Sequence, residues 1–96
     1  MTVEDSLAAR VKALIGGDEA LRELEAVQVE ELPDGLAFKI DRSNPGWLRV
    51  EITEGEYGWR IEMTGSMLAY GTFRTRFVGD EDLKSFIDVI RWRLGK

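Results

Sequence analysis

The side chains that could do chemistry in this chain are carboxylates, hydroxyls, arginines and aromatic rings, because the sequence contains neither histidine nor cysteine. Nucleophilic systems of the Ser-His-Asp and Cys-His types are therefore excluded, and so are zinc sites built from histidine and thiolate ligands. No segment has the carboxylate spacing of a calcium loop. The glycine-containing segments at 16–18 and 55–58 lack the strand-to-helix pattern and the following lysine of a phosphate loop. We expect no metal, no cofactor and no enzymatic activity.

Aromatic and basic side chains instead point to recognition of another protein. Strand alternation places Trp47 and Tyr70 on one face of a predicted sheet together with Arg74 and Arg76. Aromatic residues and arginine are enriched at the energetic centres of protein interfaces. Met67, Leu68 and Trp92 are apolar residues outside the predicted core. The candidate partner-binding set is Trp47, Met67, Leu68, Tyr70, Arg74, Arg76 and Trp92.

Structural roles for the same residues stay open. Trp47 can fold over the edge of the core, and Met67-Leu68 can lie beneath a helix. Val89 and Trp92 fall beside the main apolar stripe of the last predicted helix, where an N-terminal helix can cover them. The alternative for that pair is a dimer interface or a partner groove.

Acidic residues dominate the N-terminal third of the chain. Residues 1–36 hold nine acidic and three basic side chains, in a chain of net charge −5. This balance disfavours direct binding to nucleic acid, which needs clustered lysine and arginine. The simplest interpretation is solubility. The alternative is an acidic surface that occupies the nucleic-acid site of a partner, formed by Glu19, Glu23, Glu25, Glu30, Glu31 and Asp34.

A β-hairpin positions most of these candidates. Residues 47–54 and 57–63 alternate apolar and polar side chains on either side of Gly55-Glu56, a pattern typical of a hairpin with one buried face. A two-residue turn predicts that Ile52 lies opposite Trp59 and that Glu51 lies opposite Arg60.

The remaining elements frame this hairpin. Apolar spacing predicts one kinked helix or two helices before residue 27, with Gly16-Gly17 as the break. Val27 and Val29 begin a first strand, Leu36–Ile40 form a second, and a last strand runs from about Ala69 to Val78. Asp80 is expected to cap a closing helix. We therefore predict one α+β domain over residues 1–96: an N-terminal helix or helix pair, a five-stranded antiparallel meander and a C-terminal helix, with the helices on one sheet face.

In element order the chain is similar to small acidic secretion chaperones, which also frame an antiparallel sheet with terminal helices. The leading hypothesis is a small acidic non-enzymatic protein-binding module (an adaptor, chaperone or inhibitor) that acts through its sheet face and helix edges. One alternative is an acidic inhibitor or counter-defence protein that blocks a partner's nucleic-acid site. Another is a small-ligand binder or enzyme with a carboxylate or arginine site. We expect another protein as the partner, a possible homodimer, no membrane association and a cytoplasmic location, because no signal peptide or membrane span is evident.

Overall fold

The computed structural model describes residues 6–41, 46–66 and 72–93, with the backbone alone at 72–77 and 93. Its elements in chain order are α1 (Leu7–Ile15), α2 (Gly17–Glu23), β1 (Ala26–Leu32), β2 (Gly35–Asp41), β3 (Trp47–Glu54), β4 (Trp59–Thr64), β5 (Thr72–Val78) and α3 (Asp80–Arg93). The strands form an antiparallel sheet in the order β1-β2-β3-β4-β5. The predicted α+β class and antiparallel sheet are confirmed. The first residues of the predicted last strand, 69–71, lie outside the described residues.

The N-terminal segment is two helices, which settles the question that the two glycines left open. Ser6 caps α1, and its Oγ accepts a hydrogen bond from the N–H of Ala9 at 3.1 Å. Gly16 ends α1 in the left-handed region at φ 118°, and its N–H bonds to the carbonyl of Ala13. A left-handed residue at this position is the usual helix stop. α1 therefore ends here, and α2 begins at Gly17.

The hydrophobic core lies between the helices and one face of the sheet. Alternation along β2, β3 and β4 sends every second side chain to this face, as the period of a strand requires. α1 packs against β2 and α3. The buried core consists of Ala8, Val11, Ile15, Leu21, Leu24, Leu36, Phe38, Ile40, Leu48, Val50, Ile52, Trp59, Ile61, Met63, Leu83, Ile87 and Ile90.

The central hairpin has a longer turn than the sequence predicts. Gly55 donates its N–H to the carbonyl of Gly58 at 2.6 Å, so residues 55–58 all lie in the turn. Ile52 is consequently opposite Ile61, and Glu51 is opposite Glu62. The predicted pairs Ile52–Trp59 and Glu51–Arg60 are wrong by two residues. The core face is unchanged because a shift by two preserves alternation.

The start of α3 also differs from the prediction. Gly79 occupies the cap position, and its N–H bonds to the Asp82 carboxylate at 3.3 Å. Asp80 does not cap the helix as expected. It accepts a hydrogen bond of 2.7 Å from the indole N–H of Trp59. An acidic first turn still suits the helix dipole, and Asp80 additionally joins α3 to β4.

Candidate functional site

The outer side of α3 carries the most exposed large apolar side chain in the described part of the chain. Leu83, Ile87 and Ile90 face the core, and the helical period places Val89 and Trp92 away from it, one turn apart. Val89 is 55% exposed and Trp92 is 78% exposed. The interpretation in which an N-terminal helix covers this pair is therefore wrong, because α1 packs against α3 without covering either residue. We call Val89 and Trp92 the α3 face.

Neighbouring contacts hold the α3 face in place. Arg91 forms ion pairs with Glu23 at the end of α2 and with Asp88 one turn earlier on α3, the latter at 3.6 Å. The Glu23 contact ties the last turns of α3 to α2. Trp92 therefore projects from an anchored helix, and a rigid helix presents its side chains to a partner at low entropic cost.

Trp47 lies on the outer face of the sheet and is partly covered. The residue is 38% exposed, and its ring lies beneath the Lys39 ammonium, which is 5.3 Å from the ring centroid. Its backbone N–H donates to Ser66 Oγ at 3.0 Å, and Lys39 also forms a 3.7 Å ion pair with Asp41. The Lys39 ammonium already interacts with one face of the Trp47 ring, and that face is not available to a partner. Trp47 is therefore accessible at one side, as a residue at the rim of an interface would be.

An open depression of about 370 Å³ lies on the outer sheet face beside the β1–β2 turn. Its lining combines apolar, acidic and basic groups: Leu32, Pro33, Asp34, Glu51, Thr53, Arg60 and Glu62. Glu51 and Glu62 are directly opposite each other on β3 and β4, an arrangement of like charges that is ordinarily unfavourable. Arg49 compensates Glu51 at 3.3 Å. The depression is open to solvent and thus differs from the enclosed pockets that hold most small ligands.

The six acidic candidates do not share one face. Glu19 and Glu23 belong to α2, Glu25 follows it, Glu30 and Glu31 lie on β1, and Asp34 is in the following turn. Glu23 is paired with Arg91, and Glu30 with Arg49 at 3.4 Å. Consecutive strand residues point to opposite sides of the sheet, so Glu30 and Glu31 diverge. An acidic surface formed by all six residues together has no geometric support.

Several predicted site residues are beyond what the structure describes. Met67, Leu68 and Tyr70 lie outside the described residues. Arg74 and Arg76 belong to β5, where Arg74 pairs with Glu62 in the backbone register, and their side chains are outside the description. Among the candidates whose side chains the structure describes, Trp47 lies on the outer face of the sheet and Trp92 lies on a different surface, the exposed side of α3.

Two exposed apolar features escaped the sequence reasoning. Tyr57 protrudes from the β3–β4 turn, and Val27 and Val29 are exposed on β1. The signal for Tyr57 was its position between Gly55 and Gly58, which permit a longer turn. The exposure of the two valines was not predicted, because their alternation with Gln28 indicated a regular strand and gave no sign that β1 lies at the edge of the sheet with a register shift between Val27 and Glu30.

The described residues contain no buried polar or charged side chain and no cluster of three carboxylates that could hold a metal ion. No helix in the described ranges has both the length and the hydropathy to span a bilayer. No protein-family model, curated protein or solved structure matches the chain.

Proposed function

We propose that this protein is a small non-enzymatic protein-binding module whose principal contact is the α3 face. The observation that carries the proposal is the exposure of Trp92 beside Val89 on an anchored helix. Tryptophan is one of the three residue types enriched at interface hot spots, with tyrosine and arginine.

Burial of the exposed Trp92 side chain against a partner would contribute a large free energy of binding. An aromatic side chain that becomes fully buried removes roughly 150–250 Å² from water. Trp92 is 78% exposed, so at about 25 cal/mol per Å² burial of its exposed part corresponds to about 3–5 kcal/mol before entropic costs. The folded chain leaves this free energy unused, and a partner with an apolar pocket would gain it.

A protein partner suits the surroundings of the α3 face better than nucleic acid or lipid does. Residues 80–93 hold four acidic and three basic side chains, and Arg91, which precedes Trp92, is already paired with Glu23 and Asp88. Nucleic acid and anionic lipid are bound by clusters of lysine and arginine, which this balance does not provide. A stable protein interface buries roughly 1,200 Å² or more in total, so the partner must also contact polar residues around the α3 face.

The outer sheet face has weaker support as the principal contact. Lys39 already covers one side of Trp47, and the charged side chains beside it are engaged in ion pairs. Trp47 is consistent with a secondary contact at the rim of an interface, where substitutions have small effects.

Comparative affinity capture tests the proposal. The wild-type chain, the Val89→Ser/Trp92→Ser variant and a Tyr57→Ser control are immobilised and exposed to native host extract. Tyr57→Ser also removes an exposed aromatic ring, but from the β3–β4 turn and not from α3. We expect one protein to be retained by the wild type and by the control and to be lost from the double variant. Equal retention by all three proteins would contradict the proposal, and so would loss from the control alone.

A further inference from the structure

β1 is an edge of the sheet, since β2 is its one neighbour among the strands that the structure describes. An edge strand presents unpaired backbone N–H and C=O groups on its free side. All side chains from Val27 to Glu31 are exposed, and the two valines are 47% and 43% exposed. β1 thus offers backbone hydrogen-bonding groups and apolar side chains at the same edge.

A bulge interrupts β1. Val27 pairs with Lys39 and Glu30 pairs with Ala37, so Gln28 and Val29 together face one residue of β2. Gln28 has a φ of 50°, in the left-handed region. A bulge bends and twists a strand, which disfavours long, flat edge-to-edge pairing and favours a short partner segment.

The charges on this edge have one sign. Between Arg22 and Lys39 the sequence contains no basic residue. The acidic residues in that interval are Glu23, Glu25, Glu30, Glu31 and Asp34. Arg49 of β3 is already paired with Glu30 and Glu51, so a second copy paired through β1 would add carboxylates and no uncommitted strand cation, and like charges opposite each other destabilise strand pairing. The complementary occupant is therefore a strand that carries lysine or arginine.

We infer that β1 is a docking edge for a short extended segment of another protein, in which small apolar residues alternate with lysine or arginine. The segment adds to the sheet as a strand beside β1. Its backbone supplies hydrogen bonds, its apolar residues lie on the outer side of the sheet beside Val27, and its cations lie on the opposite side beside Glu31, since Val27 pairs with Lys39 on the outer face and Glu31 pairs with the core residue Leu36. This edge is a different surface from the α3 face and does not depend on it.

The probe is a capped seven-residue peptide of alternating valine and lysine, titrated into the isotope-labelled protein at physiological salt. We expect amide chemical-shift changes concentrated in residues 26–32. A second peptide has the same side chains with alternate backbone nitrogens methylated, which removes donors needed for strand addition. We expect the affinity of this methylated peptide to be lower by a factor of about ten or more. Equal affinity of the two peptides, or shifts spread away from β1, would overturn the inference.

Matched charge reversals separate this edge from general attraction to an acidic protein. Glu30→Lys/Glu31→Lys is expected to weaken binding of the valine-lysine peptide by about tenfold or more. Glu19→Lys/Glu56→Lys changes the net charge equally at exposed sites off the strand and should alter the affinity less than about threefold. Equal losses in the two variants would refute docking at β1. A dimer of the wild type that disappears in the first variant would show that a second copy, rather than a basic partner, occupies the edge.

Discussion

The contact between Trp59 and Asp80 gives the sharpest prediction about stability. Trp59 is 4% exposed, and its indole N–H donates to Asp80 at the first residue of α3. Arg10 of α1 lies over the same ring at 5.8 Å from its centroid and forms a 3.7 Å ion pair with Asp80. β4, α1 and α3 therefore meet at this one group. Loss of the hydrogen bond should loosen the attachment of α3 to the sheet.

The magnitude follows from the geometry. A hydrogen bond to a charged group contributes about 1.5–3 kcal/mol. The Asp80 carboxylate is half-exposed, so competition with water places the expected coupling at or just below the lower limit of this range, at about 1–1.5 kcal/mol. Trp59→Phe also removes buried ring area, and we expect its total cost to be about 2–3 kcal/mol.

A double-mutant cycle isolates the contact. The free energy of unfolding is measured by urea titration, followed by circular dichroism, for the wild type, Trp59→Phe, Asp80→Ala and the double variant. Trp59→Phe should cost about 1–1.5 kcal/mol less in the Asp80→Ala background than in the wild type. The control cycle replaces Asp80→Ala with Glu81→Ala, which alters the next acidic residue of the same turn and should show no coupling. An Asp80 coupling below about 0.3 kcal/mol would refute the reasoning.

Three further substitutions test other parts of the structure. Glu25 follows α2 at a φ of 59°. Glu25→Gly and Glu25→Ala both remove the side chain, so the glycine variant should melt about 4–8 °C above the alanine variant in a thermal scan, and equal melting temperatures would contradict the strain. A Cβ at Gly35 would collide with the carbonyl oxygen of Ile52 on β3. Gly35→Ala should therefore lower the free energy of unfolding, measured by urea titration, by about 2 kcal/mol or more. An unchanged urea midpoint would contradict the close approach of the two strands. The Val89→Ser/Trp92→Ser variant should change the free energy of unfolding by less than about 0.5 kcal/mol, because both side chains are already exposed, whereas a large loss would show that they stabilise the fold.

Alternation in the sequence identified the buried face of the hairpin, but it could not determine the register. Two-residue and four-residue turns both place Leu48, Val50 and Ile52 in the core, because they differ by an even number of residues. The shorter turn also offered attractive opposite-charge pairs on the outer face. The structure adopts the longer turn, in which Trp59 is the first residue of β4 and donates a hydrogen bond to Asp80. That contact joins residues 21 positions apart and leaves no local signal.

The irregularity of β1 was hidden for a different reason. A left-handed residue in a bulge is usually glycine, and here the position is occupied by Gln28. The alternation Val27, Gln28, Val29 therefore indicated a regular strand. On α3, the spacing of Leu83, Ile87 and Ile90 predicted the buried side, and Val89 and Trp92 fell beside it. Whether another element covers Val89 and Trp92 depends on tertiary packing, which the helical period of the sequence does not report.

The binding free energy of the captured partner tests the central claim most directly. The protein retained by the wild type is purified and titrated calorimetrically against the wild type, Val89→Ser/Trp92→Ser and Tyr57→Ser. If the α3 face is the principal contact, the double variant should bind at least about thirtyfold more weakly, which corresponds to about 2 kcal/mol, and Tyr57→Ser should bind as the wild type does. An affinity of the double variant within about threefold of the wild type would contradict the claim that this protein binds its partner through α3.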